Sequence, residues 1–459
     1  MNLLKSRAFA LVAVLVLALL YVWNQLEIQQ DPRPLGTVED VKKLAERDDL
    51  NVLFILIDTL RSDRLGSYGY ERDTSPYMDY LADTGARFAL HRAQSSWTKC
   101  SMASLWTGLN PLRTGVERFA DALAEEATTP AEIFKAAGYT TAGIWRNGWL
   151  APNFQFGQGF DMYVNPYRQQ APKSLRREAR AGRIDGTDID LVFSGLEFLR
   201  SNTDRKFFLY VHLMDVHQYV TVEELSVFGT SYSDFYDNSI LWTDKQVQAL
   251  IGGLEKLGLR EKTLIVIASD HGEAFGEHGR EGHARDLHPE VTYTPFILSF
   301  PFRLEPGIVV EEASHNVDVW PTLLDLLNLP PLSPVDGRSY VAEMTNDAPG
   351  DHPDIGVDFL DRTWGRMSEE PDPILAFREG NLRMVYHVND PEKSELYDLA
   401  TDPGEKRPLP IDHPEVERLK QMAADEVARG VAWSAGDAPT VEIDDLSLKQ
   451  LRALGYEIE

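Results

Sequence analysis

Residues 95–108 read SSWTKCSMASLWTG and hold two candidate nucleophiles, Thr98 and the chain's single cysteine, Cys100. A threonine hydroxyl attacks poorly at neutral pH until a metal ion or a base lowers its pKa. A free cysteine most often serves as a small buried hydrophobe. Residues 101–107 lack helix breakers and space Met102, Leu105 and Trp106 as a helix does. Thr98 is therefore expected at or just before a helix N-terminus, where unpaired N–H groups and the helix dipole favour an oxyanion or a bound phosphoryl group. The same position also suits an N-cap threonine with a purely structural role.

Carboxylates and imidazoles recur at comparable places. The run at 52–57 is short, apolar and rich in β-branched residues, as expected of a strand buried on both faces. It sets Asp58 at the carboxyl end of that strand, the edge where open α/β sheets bind ligands. The stretch KFFLYVHLMDVHQY repeats the pattern with Asp215 and His217, and KTLIVIASDHGEAFGEHG repeats it with Asp270 and His271 after residues 264–268. One aspartate at a strand end is commonly a cap or turn residue. Three strands delivering Asp and His to one edge weaken that explanation and point to a metal centre. His212 reads as a strand residue, His278 and His288 as exposed loop histidines, and Glu273 and His315 as groups that support ligands at most.

Several of these segments, in order and spacing, resemble the sulfatase family of the alkaline phosphatase superfamily. They are IDTLRSDRLGSYGY, the Ser-Trp-Thr segment ending in LWTG, SDHGEAFGEHG, NVDVWPTLLDLLNLP, DGRSY and ELYDLATDPGE, spread over about residues 51–405. The resemblance implies an α/β fold: an alkaline phosphatase-like core with a mixed, mostly parallel central sheet flanked by helices, plus a small C-terminal α+β subdomain. In the family's usual motif, Cys-x-Pro-Ser-Arg, the cysteine is oxidised to formylglycine. Counting back from Thr107-Gly108 puts Thr98 at that position and Met102 at the place of the arginine that braces the nucleophile. Read from Cys100, the motif becomes Cys-Ser-Met-Ala-Ser, which lacks both the Pro or Ala and the Arg that the modification expects. A Cys-x5-Arg phosphatase signature also fails, because Trp106 stands where its Arg belongs.

The resemblance implies that Asp58, Thr98, Asp270 and His271 ligate one divalent ion. Two carboxylates, an alkoxide and an imidazole suit Zn²⁺ or Mn²⁺ better than the all-oxygen shell of Ca²⁺, with Ca²⁺ or Mg²⁺ as the alternatives. Ordinary sulfatases offer a second Asp at the place of Thr59. His217 and His283 match positions that contact the transferred group or the leaving oxygen; alternatively, they complete a second metal site with Asp215. Thr98, His217 and His283 are thus the expected catalytic residues. A sulfated threonine lacks the exit that formylglycine hydrate has by collapsing to the aldehyde, so phosphoryl transfer is the easier cycle. The expected function is a metal-dependent hydrolase or transferase of phosphate esters and diesters. Sulfate ester hydrolysis is the alternative, and a binding protein without turnover the third reading.

Composition bounds the partners. With 459 residues and a formal net charge of -27, the chain is unsuited to nucleic acid, whose phosphates would be repelled. The expected partner is a small-molecule, lipid or glycan ester. At the N-terminus, Lys5 and Arg7 precede an apolar run over residues 8–23 that ends with Tyr21 and Trp23. Residues 1–25 therefore read as a signal-anchor or transmembrane segment that leaves the rest extracytoplasmic, on the periplasmic side in a bacterium. Residues 26–49 read as a linker, 50–345 as the catalytic domain and 346–459 as the C-terminal subdomain. There ILAFREGNLRMVYHV signals a hairpin, with amphipathic helices near 415–429 and 447–454. Residues 167–186 concentrate positive charge, which steers an anionic substrate or simply forms a solvated loop. A further helix is expected in HNVDVWPTLLDLLNLPPLSP, with Pro321 in its first turn and Pro330 and Pro331 as its stop.

Overall fold

The run NVLFILI becomes β1 (Asn51–Ile57), buried along its whole length. Its side chains alternate between two cores. Val52, Phe54 and Leu56 enter one, and Leu53, Ile55 and Ile57 enter the other. A strand covered on both faces needs apolar residues at every position, which is why its sequence shows a continuous run rather than an alternation.

The computed structural model describes residues 31–166, 175–176, 186–347, 356–364 and 369–442. The remaining strands of the large sheet are β2 (Ala86–Arg92), β3 (Thr140–Ile144), β4 (Met162–Val164), β5 (Phe207–Leu213), β6 (Thr263–Ala268), β7 (Phe296–Ser299) and β8 (Ile308–His315). Their spatial order is β8-β2-β7-β6-β1-β5-β3-β4. Only β7 runs antiparallel to its neighbours; the other pairings are parallel. The sheet is mixed and mostly parallel, as the family resemblance implied.

Register carries the chemistry to one edge. Ile57 pairs with Leu213, and Leu56 pairs with Ala268. The residues just past these pairs, Asp58, Asp215 and Asp270, therefore leave the sheet together. Helices cover both faces. On one side lie α1 (Thr98–Thr107) and α4 (Asn316–Leu326), where Trp106 stacks on Trp320 at 5.3 Å and Trp320 on Phe54 at 4.9 Å. On the other lie α2 (Asp188–Ser201) and α3 (Tyr232–Lys256), which bury Leu191, Ile240 and Leu250.

A smaller antiparallel sheet follows in the order β9 (Val357–Asp361), β10 (Pro373–Glu379), β11 (Leu382–His387) and β12 (Glu395–Asp398). The turn between β10 and β11 places Gly380 at φ +58, the left-handed conformation that glycine adopts most readily. This is the hairpin signalled by REGN. Helix α5 (Val416–Ala428) buries Val416, Leu419 and Ala423 at i, i+3 and i+7, the expected amphipathic stripe. Pro34–Glu459 group as one compact unit, and the Phe359 amide of β9 donates to the Gln94 carbonyl at 2.7 Å.

Two expectations are corrected. Residues within the expected linker are folded: Val38–Lys42 is a helix continued by a 3₁₀ turn over Lys43–Glu46, because Val41 and Leu44 find apolar cover. Pro321 sits in the second turn of α4, since the helix begins at Asn316, five residues earlier. The expected anchor, most of the positive segment 167–186 and the helix near 447–454 lie outside the described residues. Within 167–186, Leu175–Arg176 forms a two-residue pairing with Val220–Thr221. Among the described residues no helix is long and apolar enough to cross a membrane.

Candidate active site

Asp58, Asp270 and His271 meet at the carboxyl ends of β1 and β6, all fully buried, with one ligand atom from each within 4.8 Å of the others. Asp58 Oδ2 accepts from His212 Nε2 at 2.9 Å and from Asn147 Nδ2 at 2.7 Å. Asp270 Oδ1 accepts from the amides of Thr59 at 3.2 Å and His271 at 3.0 Å. The second oxygens, Asp58 Oδ1 and Asp270 Oδ2, are buried without a hydrogen-bond partner. His271 Nδ1 lies 2.9 Å from the Gly272 carbonyl, which only accepts, so Nδ1 carries the hydrogen and Nε2 the lone pair. Two orphaned carboxylate oxygens facing an imidazole lone pair are costly in isolation and suit a divalent cation. The donor set fits the metal that the resemblance implies.

Electrostatics differ across the pair. Burial works to raise both carboxyl pKa values. For Asp58 it is outweighed by His217, His212 and His271, which hold the group well below the usual carboxylate range. For Asp270, burial and the charge of Asp58 together push it up. A cation bound by these carboxylates would offset that repulsion.

Thr98 is the first residue of α1, and Trp97 occupies the cap position without a capping side-chain bond. The N-cap reading of Thr98 therefore does not hold. Its hydroxyl donates to His271 Nε2 at 3.1 Å and accepts from Asn147 Nδ2 at 3.3 Å. His283 and His217 join this group, with ring centroids 4.6 Å and 5.1 Å apart for the pairs His271–His283 and His217–His283. His283 Nδ1 lies 3.2 Å from Glu273 Oε1, while Tyr219 donates to Glu273 Oε2 at 2.9 Å. Burial lowers the pKa of His283, but the Glu273 carboxylate outweighs it and holds the imidazole above its ordinary value. His217 goes the other way, pushed down to about 4 chiefly by burial. Gln218 Nε2 donates to His217 Nδ1 at 3.1 Å, so His217 Nε2 carries the hydrogen, and that buried nitrogen has no partner.

The family described as Sulfatase matches residues 50–329, and the family described as N-sulphoglucosamine sulphohydrolase, C-terminal, matches residues 276–430. The chain belongs to the sulfatase family. Arylsulfatase A of Homo sapiens is 26% identical over 425 residues, spanning 77% of this chain and 82% of that protein. The ulvan-active sulfatase of Formosa agariphila is 25% identical over 448 residues, spanning 84% and 82%. Among solved structures, a 2-O GAG sulfatase superposes with a TM-score of 0.68 at 18% identity, covering 83% of this chain and 92% of its own. The phosphonate monoester hydrolase of Agrobacterium radiobacter does so with 0.63 at 20%, covering 83% and 95%. This is a sulfatase-family hydrolase acting on ester bonds, with the alkaline phosphatase-like fold.

Within the sulfatase frame, several residues depart from the sequence reading. Asp215 is committed elsewhere: its carboxylate accepts from Arg146 Nη1 at 3.1 Å, Trp242 Nε1 at 2.8 Å and the Asp188 amide at 2.9 Å. The alternative of a second metal held by Asp215 thus loses its carboxylate. Among the described residues, Asp58, Asp270 and His271 are the one group spaced to hold an ion. His278 and His288 are not exposed loop residues. Their rings stack at 3.8 Å, and they bond Glu290 and Glu405 at 2.7 Å and 3.0 Å. His315 caps α4, its amide bonding Asp318 at 2.8 Å. Thr59 adopts φ +61 and contributes its amide, not a ligand oxygen, to Asp270. Met102 and Cys100 are buried in the core, as a methionine and a free cysteine suit it.

Two site residues escaped the sequence reading. Asn147 follows β3 at the same sheet edge, so the rule that found Asp58 reaches it as well. His212 lies inside β5, where the sequence pattern marks it only as a strand residue. Tyr210 donates to its Nδ1 at 2.6 Å, which fixes Nε2–H toward Asp58.

Proposed function

We propose that this sulfatase-family protein hydrolyses phosphate esters and diesters through Thr98. The observation that carries the reading is Thr98 Oγ1 at the start of α1, 3.1 Å from Nε2 of His271, which clusters with Asp58 and Asp270. Asp58, Thr98, Asp270 and His271 would hold a divalent cation, whose positive charge would lower the pKa of the threonine hydroxyl. Zn²⁺ or Mn²⁺ suits the mixed donor set. Thr98 gives its proton to water, and its oxygen attacks phosphorus in line, aided by the first-turn amides of α1. His217 Nε2–H, neutral at pH 7, donates to a non-bridging oxygen. His283, whose Nδ1 is held 3.2 Å from Glu273 Oε1, gives a proton to the leaving alcohol as the phosphorus–oxygen bond breaks. Water then gives a proton to His283 and attacks phosphorus; the bond from phosphorus to Thr98 Oγ1 breaks, and Oγ1 takes a proton back from solvent. Two imidazoles with pKa values driven apart thus take different roles.

A second reading, sulfate ester hydrolysis, is favoured by the relatives, which include arylsulfatase A and N-acetylgalactosamine-6-sulfatase. The alcohol is proposed to be a glycan or lipid, delivered outside the cytoplasm to a protein tethered by residues 1–25. Paired turnover of aryl phosphate, aryl phosphodiester and aryl sulfate decides between the readings. Phosphoester turnover lost in Thr98→Ala, with a phosphopeptide containing Thr98 trapped by acid quench, supports the proposal. An active Thr98→Ala enzyme sinks it, and turnover of sulfate alone replaces it with the second reading. Recovery of the full chain in the membrane fraction, and of a chain starting at residue 31 in the soluble fraction, tests the tether.

A further inference from the structure

His283 sits at the start of a segment, residues 283–288, whose backbone is gripped from two sides. From the nucleophile's side, the Ala284 amide donates to the Ser96 carbonyl at 2.9 Å, and Ser96 Oγ donates to the Asp286 carbonyl at 2.6 Å. Ser96 is two residues ahead of Thr98. From the small sheet's side, Trp364 Nε1 donates to the Ala284 carbonyl at 2.7 Å, and Arg383 Nη2 donates to the Leu287 carbonyl at 2.6 Å. Ala284 therefore has both backbone groups held, one by each lobe.

The conformation at Ala284 needs such a grip. Its φ is +57, in the left-handed region that a non-glycine residue keeps where its surroundings over-determine it. Trp364 is itself fixed. It follows the end of β9, its amide bonds the Asp361 carbonyl at 2.9 Å, and its carbonyl accepts from the Phe119 amide at 2.9 Å. Its ring is buried. A hydrogen bond from an indole that cannot turn is a stiff support.

We propose that Trp364 is a positioning residue for catalysis: through the Ala284 carbonyl it fixes the adjoining His283 against His271 and His217, so the small sheet governs proton delivery to the leaving group. This rests on the reading of His283 as the proton donor. Loss of an acid's placement falls on poor leaving groups and spares good ones, because a departing nitrophenolate needs no proton. A simple loss of folded protein lowers both alike.

The test uses the full chain with two esters of the same acid, phosphate or sulfate according to which the unaltered protein turns over, one of 4-nitrophenol and one of an alkyl alcohol. Trp364→Phe, and Trp364 replaced by 3-benzothienylalanine, which keeps the bicyclic shape without the N–H, are compared with His283→Gln. The expected result in both Trp364 variants is a kcat loss of about tenfold or more on the alkyl ester, with less than about threefold on the nitrophenyl ester. KM should be little changed. Deuterium exchange of the 283–288 peptide should quicken about tenfold with either Trp364 variant. Equal losses on both esters in His283→Gln overturn the proton-donor reading and the proposal with it. Selective loss in His283→Gln without it in the Trp364 variants, or unchanged exchange, overturns the role of Trp364 alone.

Discussion

Two pairs of buried aspartates lie side by side at the edge of the large sheet, and they are finished differently. Asp188 and Asp215 are saturated from within the chain. Arg146 bridges both at 3.2 Å and 3.1 Å, the Met214 and Asp215 amides reach Asp188, and Trp242 and the Asp188 amide reach Asp215. Asp58 and Asp270 each keep one oxygen without a hydrogen-bond partner. Both pairs pay the desolvation of burial, yet one carries its counter-charge as a guanidinium and the other leaves a place for it. Burial of carboxylates therefore does not by itself mark a metal site.

The largest effect should come from closing the open pair. Asp58→Asn or Asp270→Asn is expected to cut turnover about a thousandfold or more with loss of bound metal by elemental analysis, while the fold persists. Normal activity in either would erase the distinction between the pairs. Arg146→Met should do the reverse, destabilising by about 3–5 kcal/mol in urea unfolding, because it strands two facing carboxyl groups. A loss under about 1 kcal/mol would mean that the closed pair is not balanced by Arg146.

A buried group belonging to neither pair gives the control for pH. His91 bonds Ser314 Oγ and Asn316 at 2.8 Å and 2.9 Å, and burial pushes its pKa from 6.5 down to about 4. A depressed histidine contributes stability that is complete above pH 6.5 and is lost as pH falls toward 4, about 3 kcal/mol over that window. His91→Gln should flatten this part of the stability profile by that amount; an unchanged slope refutes it. Chelation is the gentlest test. Removing a cation present at a hundred times its Kd should lower apparent stability by about 2.7 kcal/mol in the unaltered protein and leave Asp270→Asn unmoved.

Much of the open pair was legible in sequence, and little of its frame. Continuous apolar runs give away doubly buried strands, so Asp58, Asp270 and His271 could be placed on one edge before any coordinates. The hairpin of the small sheet was likewise marked by REGN between apolar runs. What the sequence hides is contact between distant segments. Asp215 looked like a ligand because its partner Arg146 is 69 residues away. His278 and His288 looked exposed because Glu405 covers them from the far end of the chain. Trp364 reaches Ala284 across 80 residues, with no local pattern to announce it.

The burial of Cys100 also has a bench-side consequence. Its thiol faces the Phe359 carbonyl, 4.0 Å from Sγ, and burial pushes its pKa far above the ordinary range. A lone thiol so protected neither cross-links nor competes for soft metals. Purification can therefore omit thiol reductants, which bind zinc strongly enough to blur any titration. With an encoded threonine as the proposed nucleophile, the protein should be fully formed on folding in any expression host, with no oxidative maturation step to wait for.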